Sequence, residues 1–357
     1  MGRDIRYGVI GTGMMGLEHI ANLKAFDGAV VTAVADPDAH SLARAVDACD
    51  GEVATFADHR ALLDADVCDA VVVASPNMTH VDVLLDVVAR DVHVLVEKPL
   101  CTTIEDCRRV IDVAEGRDAL VWVGLEYRYM PPVARFIEEV GAGTVGTLHM
   151  LSIREHRFPF LPKVGDWNRF NRNTGGTLVE KCCHFFDLMN LICGSQPERV
   201  MASGGQAVNH LHERYDGEQP DILDNAYVIV EYASGARAML DLCMFAEATT
   251  NQEEFVAVGD EGKVEAFLPS QEVRAGRRED GWLSARSEIV TSDAAAYEGF
   301  HHGSSYLEHV DFHAAIRSGA APAVTMADGL QSVALGIAAQ RSIAERRPID
   351  VAEVLAG

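Results

Sequence analysis

A chain of 357 residues, 48% hydrophobic and 24% charged, has the make-up of a globular protein of two domains. Its formal net charge of −24 repels polyanions, which argues against nucleic acid or an anionic membrane as a partner. No run approaches the ~20 apolar residues of a membrane helix, and the first apolar stretch is too short for a secretory signal, so a cytoplasmic location is expected.

In chain order, "RYGVIG" predicts a strand buried on both faces, "MMGLEHIANLKAF" a helix, and "AVVTAVADPD" a second strand ended by Asp36-Pro37. A helix at "HSLARAVDAC", a strand at "EVATF", a short helix at "DHRALLD" and a strand at "DAVVVASP" follow. Then come a helix at "THVDVLLDVVARD", a strand at "HVLVEKP", a helix at "TIEDCRRVIDVAEGRD" and a strand at "ALVWVGL". Strands alternating with helices in this rhythm make a doubly wound parallel sheet. Uninterrupted apolar runs such as "AVVVA" suit strands covered on both faces.

The rhythm changes near residue 125. "PPVARFIEEV" predicts a helix with prolines at its start, "GTLHMLSIREHRF" a long strand, and "GGTLVEKCCHFFDLMNLICG" a single helix ending at Gly194. Strand-like runs with short turns follow, among them a hairpin over Ser234-Gly235, and two helices close the chain. The expected fold is therefore α/β: a parallel-sheet domain over 1–125, and over 126–357 an α/β domain with an open, mostly antiparallel sheet. The eight cysteines are scattered through apolar segments without a CxxC pair, so they are expected to be small buried hydrophobes. The adjacent pair Cys182-Cys183 before His184 points in different directions on a helix, and no metal site is expected.

Gly11, Gly13 and Gly16 follow the first strand and open the first helix, which is the context of a dinucleotide fingerprint. Gly11 permits the turn, Gly13 lets the backbone of Thr12, Met14 and Met15 approach a pyrophosphate, and Gly16 allows close helix–strand packing. Asp36, at the end of the second strand, suits a ribose 2′-hydroxyl and repels a 2′-phosphate, so NAD is expected over NADP. Ser75, Pro76, Asn77 and His80 lie at the carboxyl end of another strand and are candidate ribose or adenine neighbours. Turn formation and helix capping account equally well for Asn77 and Thr79. Glu97-Lys98-Pro99 ends a buried strand, either as a strand-end ion pair or with Lys98 directed at the nicotinamide.

Together "GTGMMG", Asp36, "SPNMTH" and "EKP" resemble the Gfo/Idh/MocA oxidoreductases, over essentially the whole chain. The resemblance implies a catalytic or substrate-orienting Lys98, with Glu97 near the nicotinamide ribose. It also points to a helix after paired glycines, matched here by Gly175, Gly176, Glu180, His184 and Asp187. Glu180 stands where inositol dehydrogenases usually have Asp, which bears on the sugar preferred. Positions i, i+4 and i+7 share one helix face, so Glu180, His184 and Asp187 are expected to reach one place, with His184 as general base. Arg128 is expected at the cofactor. Arg157, Trp167, Arg169 and His302 are candidate substrate contacts beside Lys98, Glu180 and His184.

The expected function is NAD-dependent hydride transfer from a secondary hydroxyl of a sugar, glycoside or cyclitol. The alternatives are an enzyme that keeps NAD bound and oxidises a sugar hydroxyl transiently, a C=C or C=N reductase, and a non-catalytic NAD-binding regulator. Retention of both Lys98 and His184 argues against the regulator. Subunit contacts through the open sheet, common in the family, suggest a homodimer or homotetramer.

Overall fold

The structure, a computed structural model, describes residues 3–299 and 301–356. Two compact units divide the chain by contact: Met1–Glu126 with Lys163–Trp167 and Asp293–Leu330, and Tyr127–Pro162 with Asn168–Ser292 and Gln331–Gly357.

The first unit begins with β1 (Ile5–Ile10), α1 (Met14–Lys24), β2 (Ala29–Ala35), α2 (Ala39–Ala48), β3 (Ala54–Phe56) and α3 (His59–Asp64). It continues with β4 (Ala70–Val73), α4 (His80–Val88), β5 (His93–Glu97), α5 (Ile104–Ala114) and β6 (Val121–Gly124). The six strands pair in parallel in the order β3-β2-β1-β4-β5-β6. All four residues of β4 are buried, as are the last four of β5, as a sheet covered on both faces requires. The order reverses between β1 and β4, and ligands of such sheets bind outside the strand ends at that reversal. Side chains cap α2, α3 and α5, though not α4: Asp38 accepts from Ser41 N–H at 2.7 Å, Asp58 from Ala61 N–H at 3.0 Å and Thr103 from Asp106 N–H at 3.1 Å. The start of α1 carries Gly13 and no such cap.

The second unit holds α6 (Pro131–Gly141), β7 (Leu148–His156), α7 (Asn171–Thr174), α8 (Thr177–Glu180), α9 (Cys183–Cys193), β8 (Pro197–Gly205), β9 (Asn225–Tyr232) and β10 (Arg237–Cys243). Next are β11 (Glu253–Gly259), β12 (Gly262–Leu268), β13 (Glu272–Arg277) and β14 (Arg286–Ile289). After α10 (Ser304–Ser318), which belongs to the first unit, come α11 (Met326–Glu345), of which the second unit takes the part from Gln331 onward, β15 (Ile349–Asp350) and α12 (Val351–Leu355). Nine strands form one sheet in the order β14-β13-β12-β11-β7-β10-β9-β8-β15, antiparallel throughout except for the parallel pair β7–β10. Burial alternates strictly along β9 and β10, so one face is core and the other open. The β9–β10 hairpin turns over Ser234-Gly235 as the sequence suggested, with Gly235 at φ +86°.

One expected element is different. The segment after the paired glycines is two helices, not one: α8 stops at Glu180, and α9 starts at Cys183 after a turn at Lys181-Cys182. Glu180 and His184 therefore lie on separate helices, and the shared-face argument does not apply to them. The paired glycines are explained by packing. Gly175 and Gly176 have φ of +77° and +90°, and a Cβ on Gly176 would overlap the Gln340 amide.

Close packing also fixes Gly336 in α11, where a Cβ would lie 2.5 Å from the Leu178 carbonyl oxygen. Gly336→Ala would gain about 1 kcal/mol of helix propensity but add an overpacking cost of about 1–3 kcal/mol against backbone that cannot rotate away. The variant is expected to unfold at lower urea concentration than the parent; an equal or higher midpoint would contradict this packing.

Candidate active site

The glycine loop is built from three constraints within the first unit. Gly11 sits at φ +87°, and a Cβ there would lie 2.5 Å from Ser75 N, so the ends of β1 and β4 are pressed together. A Cβ on Gly16 would overlap the Gly11 carbonyl oxygen, which seats α1 on the end of β1. Among the described residues nothing stands within 4 Å of where a Gly13 Cβ would be. Asp36 ties the loop to the second strand: its Oδ2 accepts from Thr12 N–H at 2.7 Å and from the Thr12 hydroxyl at 3.1 Å. Among the described residues its Oδ1 accepts only the Asp38 N–H, at 2.8 Å, which leaves that oxygen with acceptor capacity.

Ser75 and Pro76 are half-buried at the end of β4. Asn77 is buried, and its Nδ2 has no hydrogen-bond partner among the described residues. His80 departs from its expected role as a ribose or adenine neighbour. Its side chain is fully buried, and its ring nitrogens lie 2.8 Å from the Pro99 carbonyl oxygen and 3.0 Å from that of Ser75. It ties two strand-end turns together, and burial lowers its pKa.

At the end of β5 the carboxylate of Glu97 is buried, while Lys98 is half-buried. Glu97 Oε2 accepts the Lys98 N–H at 3.1 Å, and Oε1 lies 2.9 Å from His19 Nε2. His19 Nδ1 in turn lies 2.8 Å from His309 Nε2. Burial alone would raise the Glu97 pKa, but the His19 hydrogen bond and the charges of His19 and Lys98 hold it well below the ordinary carboxylate range. Burial, then the neighbouring His19, pushes His309 well down. His19 Nε2–H donates to Glu97, and the facing His19 Nδ1 and His309 Nε2 share one proton between them. Sequence reasoning passed over His19 and His309. Their partners lie far away in the chain, and only the α1 position of His19, one turn past Gly16, hinted at a role.

Trp167 and His302 also fall in the first unit, both half-buried, and burial lowers the His302 pKa. The remaining expected residues lie in the second. Arg128 is held by Asp187, with Nε to Oδ2 at 2.7 Å and Nη2 to Oδ1 at 2.5 Å. This guanidinium engages the Asp187 carboxylate at both oxygens. Arg169 is buried and committed to Glu213 and Asn168, at 3.1 and 3.0 Å, which suits a structural role more than a sugar contact. Arg157 donates to the buried Glu155 at 3.2 Å and lies over the Phe158 ring. Glu180 and His184 are both buried, and the His184 ring stacks on Tyr127 with centroids 4.1 Å apart and planes 11° from parallel. All eight cysteines are free thiols. Among the described residues no group of His, Cys, Asp and Glu is placed to hold a metal, and no helix is long and apolar enough to cross a membrane.

The family model for the NAD-binding Rossmann fold of the Gfo/Idh/MocA oxidoreductases matches residues 5–125, and the model for their C-terminal alpha/beta domain matches residues 137–351. The chain belongs to this oxidoreductase family. It is 29% identical over 360 residues to a myo-inositol 2-dehydrogenase of Thermotoga maritima, covering 98% of this chain and all of that one. It is 27% identical to an inositol 2-dehydrogenase of Rhizobium meliloti, over 98% of this chain and 99% of that protein. A levoglucosan dehydrogenase solved with NADH and levoglucosan shares the fold, with a TM-score of 0.86 at 21% identity, over 98% of this chain and 100% of that one.

As a member of the family, the chain binds NAD, and its residues fit the cofactor. The open space at Gly13, the uncapped start of α1 and the acceptor capacity of Asp36 Oδ1 match a pyrophosphate and an adjacent ribose.

One buried carboxylate in the second unit yields a pH test. Burial, then the charge of Glu155 opposite it in the β7–β11 register, raises the Glu253 pKa to about 7. In the unfolded chain the group ionises near 4.5, so its contribution to stability is full below that pH and is lost as the pH rises through about 7. Glu253→Gln is therefore expected to stabilise the protein at pH 8 by on the order of 3 kcal/mol in urea unfolding, with the gain shrinking toward pH 5. A gain independent of pH would contradict the raised pKa.

Proposed function

We propose that the chain oxidises a secondary hydroxyl of a sugar, glycoside or cyclitol with NAD. The observation that carries this reading is Lys98 at the carboxyl end of β5, beside a carboxylate locked by His19. The inositol dehydrogenase relatives support the substrate class. Residues 1–125 hold the nucleotide through Gly11 to Gly16, Asp36 and Ser75 to Asn77, and residues 126–357 supply substrate and subunit contacts. Bound NAD supplies the hydride acceptor at its nicotinamide. Lys98 donates a hydrogen bond to the reacting oxygen and stabilises its developing negative charge. His184 accepts the hydroxyl proton, and Glu180, also buried, is a candidate partner for substrate. Arg157, Trp167 and His302 are further candidate contacts for sugar hydroxyls. Asp36 directs the choice of NAD over NADP, because a carboxylate repels a 2′-phosphate.

The test is a screen of inositols, aldoses and glycosides with NAD, followed by NADH absorbance. At least one such alcohol is expected to be oxidised, and Lys98→Met is expected to lower kcat/KM by about 10²–10³ while NAD affinity stays within severalfold. A folded, NAD-binding Lys98→Met variant with normal turnover would remove Lys98 from the reaction.

We also propose that the enzyme is a cytoplasmic homodimer or homotetramer. The free thiols fit a reducing compartment. The open sheet face exposes Met150, Tyr227, Ile229 and Met239 by 63, 62, 39 and 37%, an apolar patch that suits a subunit contact. Sedimentation at micromolar concentration should show an oligomer, and Ile229→Lys with Met239→Lys should shift it toward monomer. A monomeric parent would refute this assignment.

A further inference from the structure

The second unit contains a buried ion cluster with no assigned part in the reaction. The ammonium of Lys181 donates to the Tyr127 hydroxyl at 2.6 Å, and it lies 2.9 Å from Glu155 Oε1 and 4.8 Å from the Tyr127 ring centroid. The same ring carries the stacked imidazole of His184. Lys181, Glu155, Tyr127 and His184 are all buried. A purely structural account has Lys181 neutralising Glu155. Yet Arg157 already donates to that same carboxylate oxygen, and an apolar side chain of similar volume would avoid the cost of burying an ammonium. What the ammonium adds is its hold on Tyr127, and a positive charge beside the ring on which His184 rests.

We propose that Lys181 is a positioning residue for His184: it fixes the Tyr127 ring against the imidazole, and its charge opposes protonation of that imidazole. The catalytic value of this arrangement rests on the reading of His184 as the base, since a base for alcohol oxidation must be neutral before it accepts the proton. The other charged or titratable groups of the surroundings act in both directions. Glu180 and Asp187, on the helices that flank and carry His184, favour the imidazolium, and Arg128, beside Tyr127, offsets Asp187. Glu155 on β7 and Glu253 on β11 oppose Lys181, and Arg157 reinforces it. Removal of the Lys181 charge leaves the carboxylates in excess.

The experiment is an NMR titration of the full-length protein with isotope-labelled histidine rings, with His184 assigned by its loss in His184→Asn. Lys181→Gln keeps a donor for Tyr127 and Glu155 but removes the charge. The His184 midpoint is expected to rise by about one pH unit, a tenfold tighter proton. Lys181→Arg, which keeps the charge, is expected to return it to near the parent value. An unmoved midpoint in folded Lys181→Gln would overturn the proposal. Should that variant fail to fold, Glu155→Gln reads the same coupling with the opposite sign: a fall in the midpoint supports it, and a rise or no change overturns it. The pH profile of alcohol oxidation separates the two readings. A midpoint that moves in the NMR titration while the rate profile stays fixed supports the role of Lys181 and places the base elsewhere than His184.

Discussion

The nucleotide end of this enzyme depends on one steric constraint, the contact between the Cα of Gly16 and the carbonyl of Gly11. No side chain fits there, so the first turn of α1 rests directly on the end of β1. That contact aims the helix amides and the positive end of the helix dipole past Gly13. Gly11 is in turn wedged against Ala74 and Ser75, so the same loop also fixes the end of β4. Asp36 completes the frame by holding Thr12 with one oxygen and leaving acceptor capacity on the other. A protein with a net charge of −24 needs such a local reversal of field to hold a dinucleotide pyrophosphate, and backbone amides provide it without a buried cation.

Where the chain does bury ionisable side chains, it links them in series. Glu97 at the end of β5, His19 within α1 and His309 within α10 are joined through two hydrogen bonds of 2.9 and 2.8 Å. A carboxylate without its donor in that position would be costly, because an isolated buried charge has no solvent to replace the lost partner. The chain therefore couples the glycine-loop helix to the strand that ends in Lys98. Any movement of α1 along its axis would strain the geometry of Glu97 and, through its bond to the Lys98 amide, the start of the Lys98-Pro99 turn.

How much of this could be read from sequence varies with the range of the contact that matters. The fingerprint glycines, Asp36 and the alternation of strands with helices were legible because their physics is local: a turn, a cap, a period of burial. The split between α8 and α9 was not, because Lys181-Cys182 contains neither glycine nor proline and both residues favour a helix as readily as the turn they form. His80 gave a ligand-like signal from its place after a strand, but its nitrogens are used on carbonyls of Ser75 and Pro99. His19 gave almost none, since its partners Glu97 and His309 come from other elements. Arg169 looked available in "DWNRFNRN" until Glu213, from a later loop, was seen to bind it. The parallel pairing of β7 with β10 was invisible for the same reason: antiparallel hairpins announce themselves in their turns, and a parallel pair has no turn to show.

Two Glu-Lys dipeptides show how neighbouring charges can be given opposite duties. In Glu97-Lys98 the carboxylate is the committed member, with one oxygen on His19 and the other on a backbone amide, and the lysine is half-buried at the strand end. In Glu180-Lys181 the lysine is committed, to Tyr127 and Glu155. A strand and a helix terminus send consecutive side chains in different directions, so the two charges of each dipeptide need not serve the same partner. The scaffold charge then sets the electrostatic surroundings close to it: Glu97 lies beside Lys98, and Lys181 lies beside the Tyr127 ring on which His184 stacks.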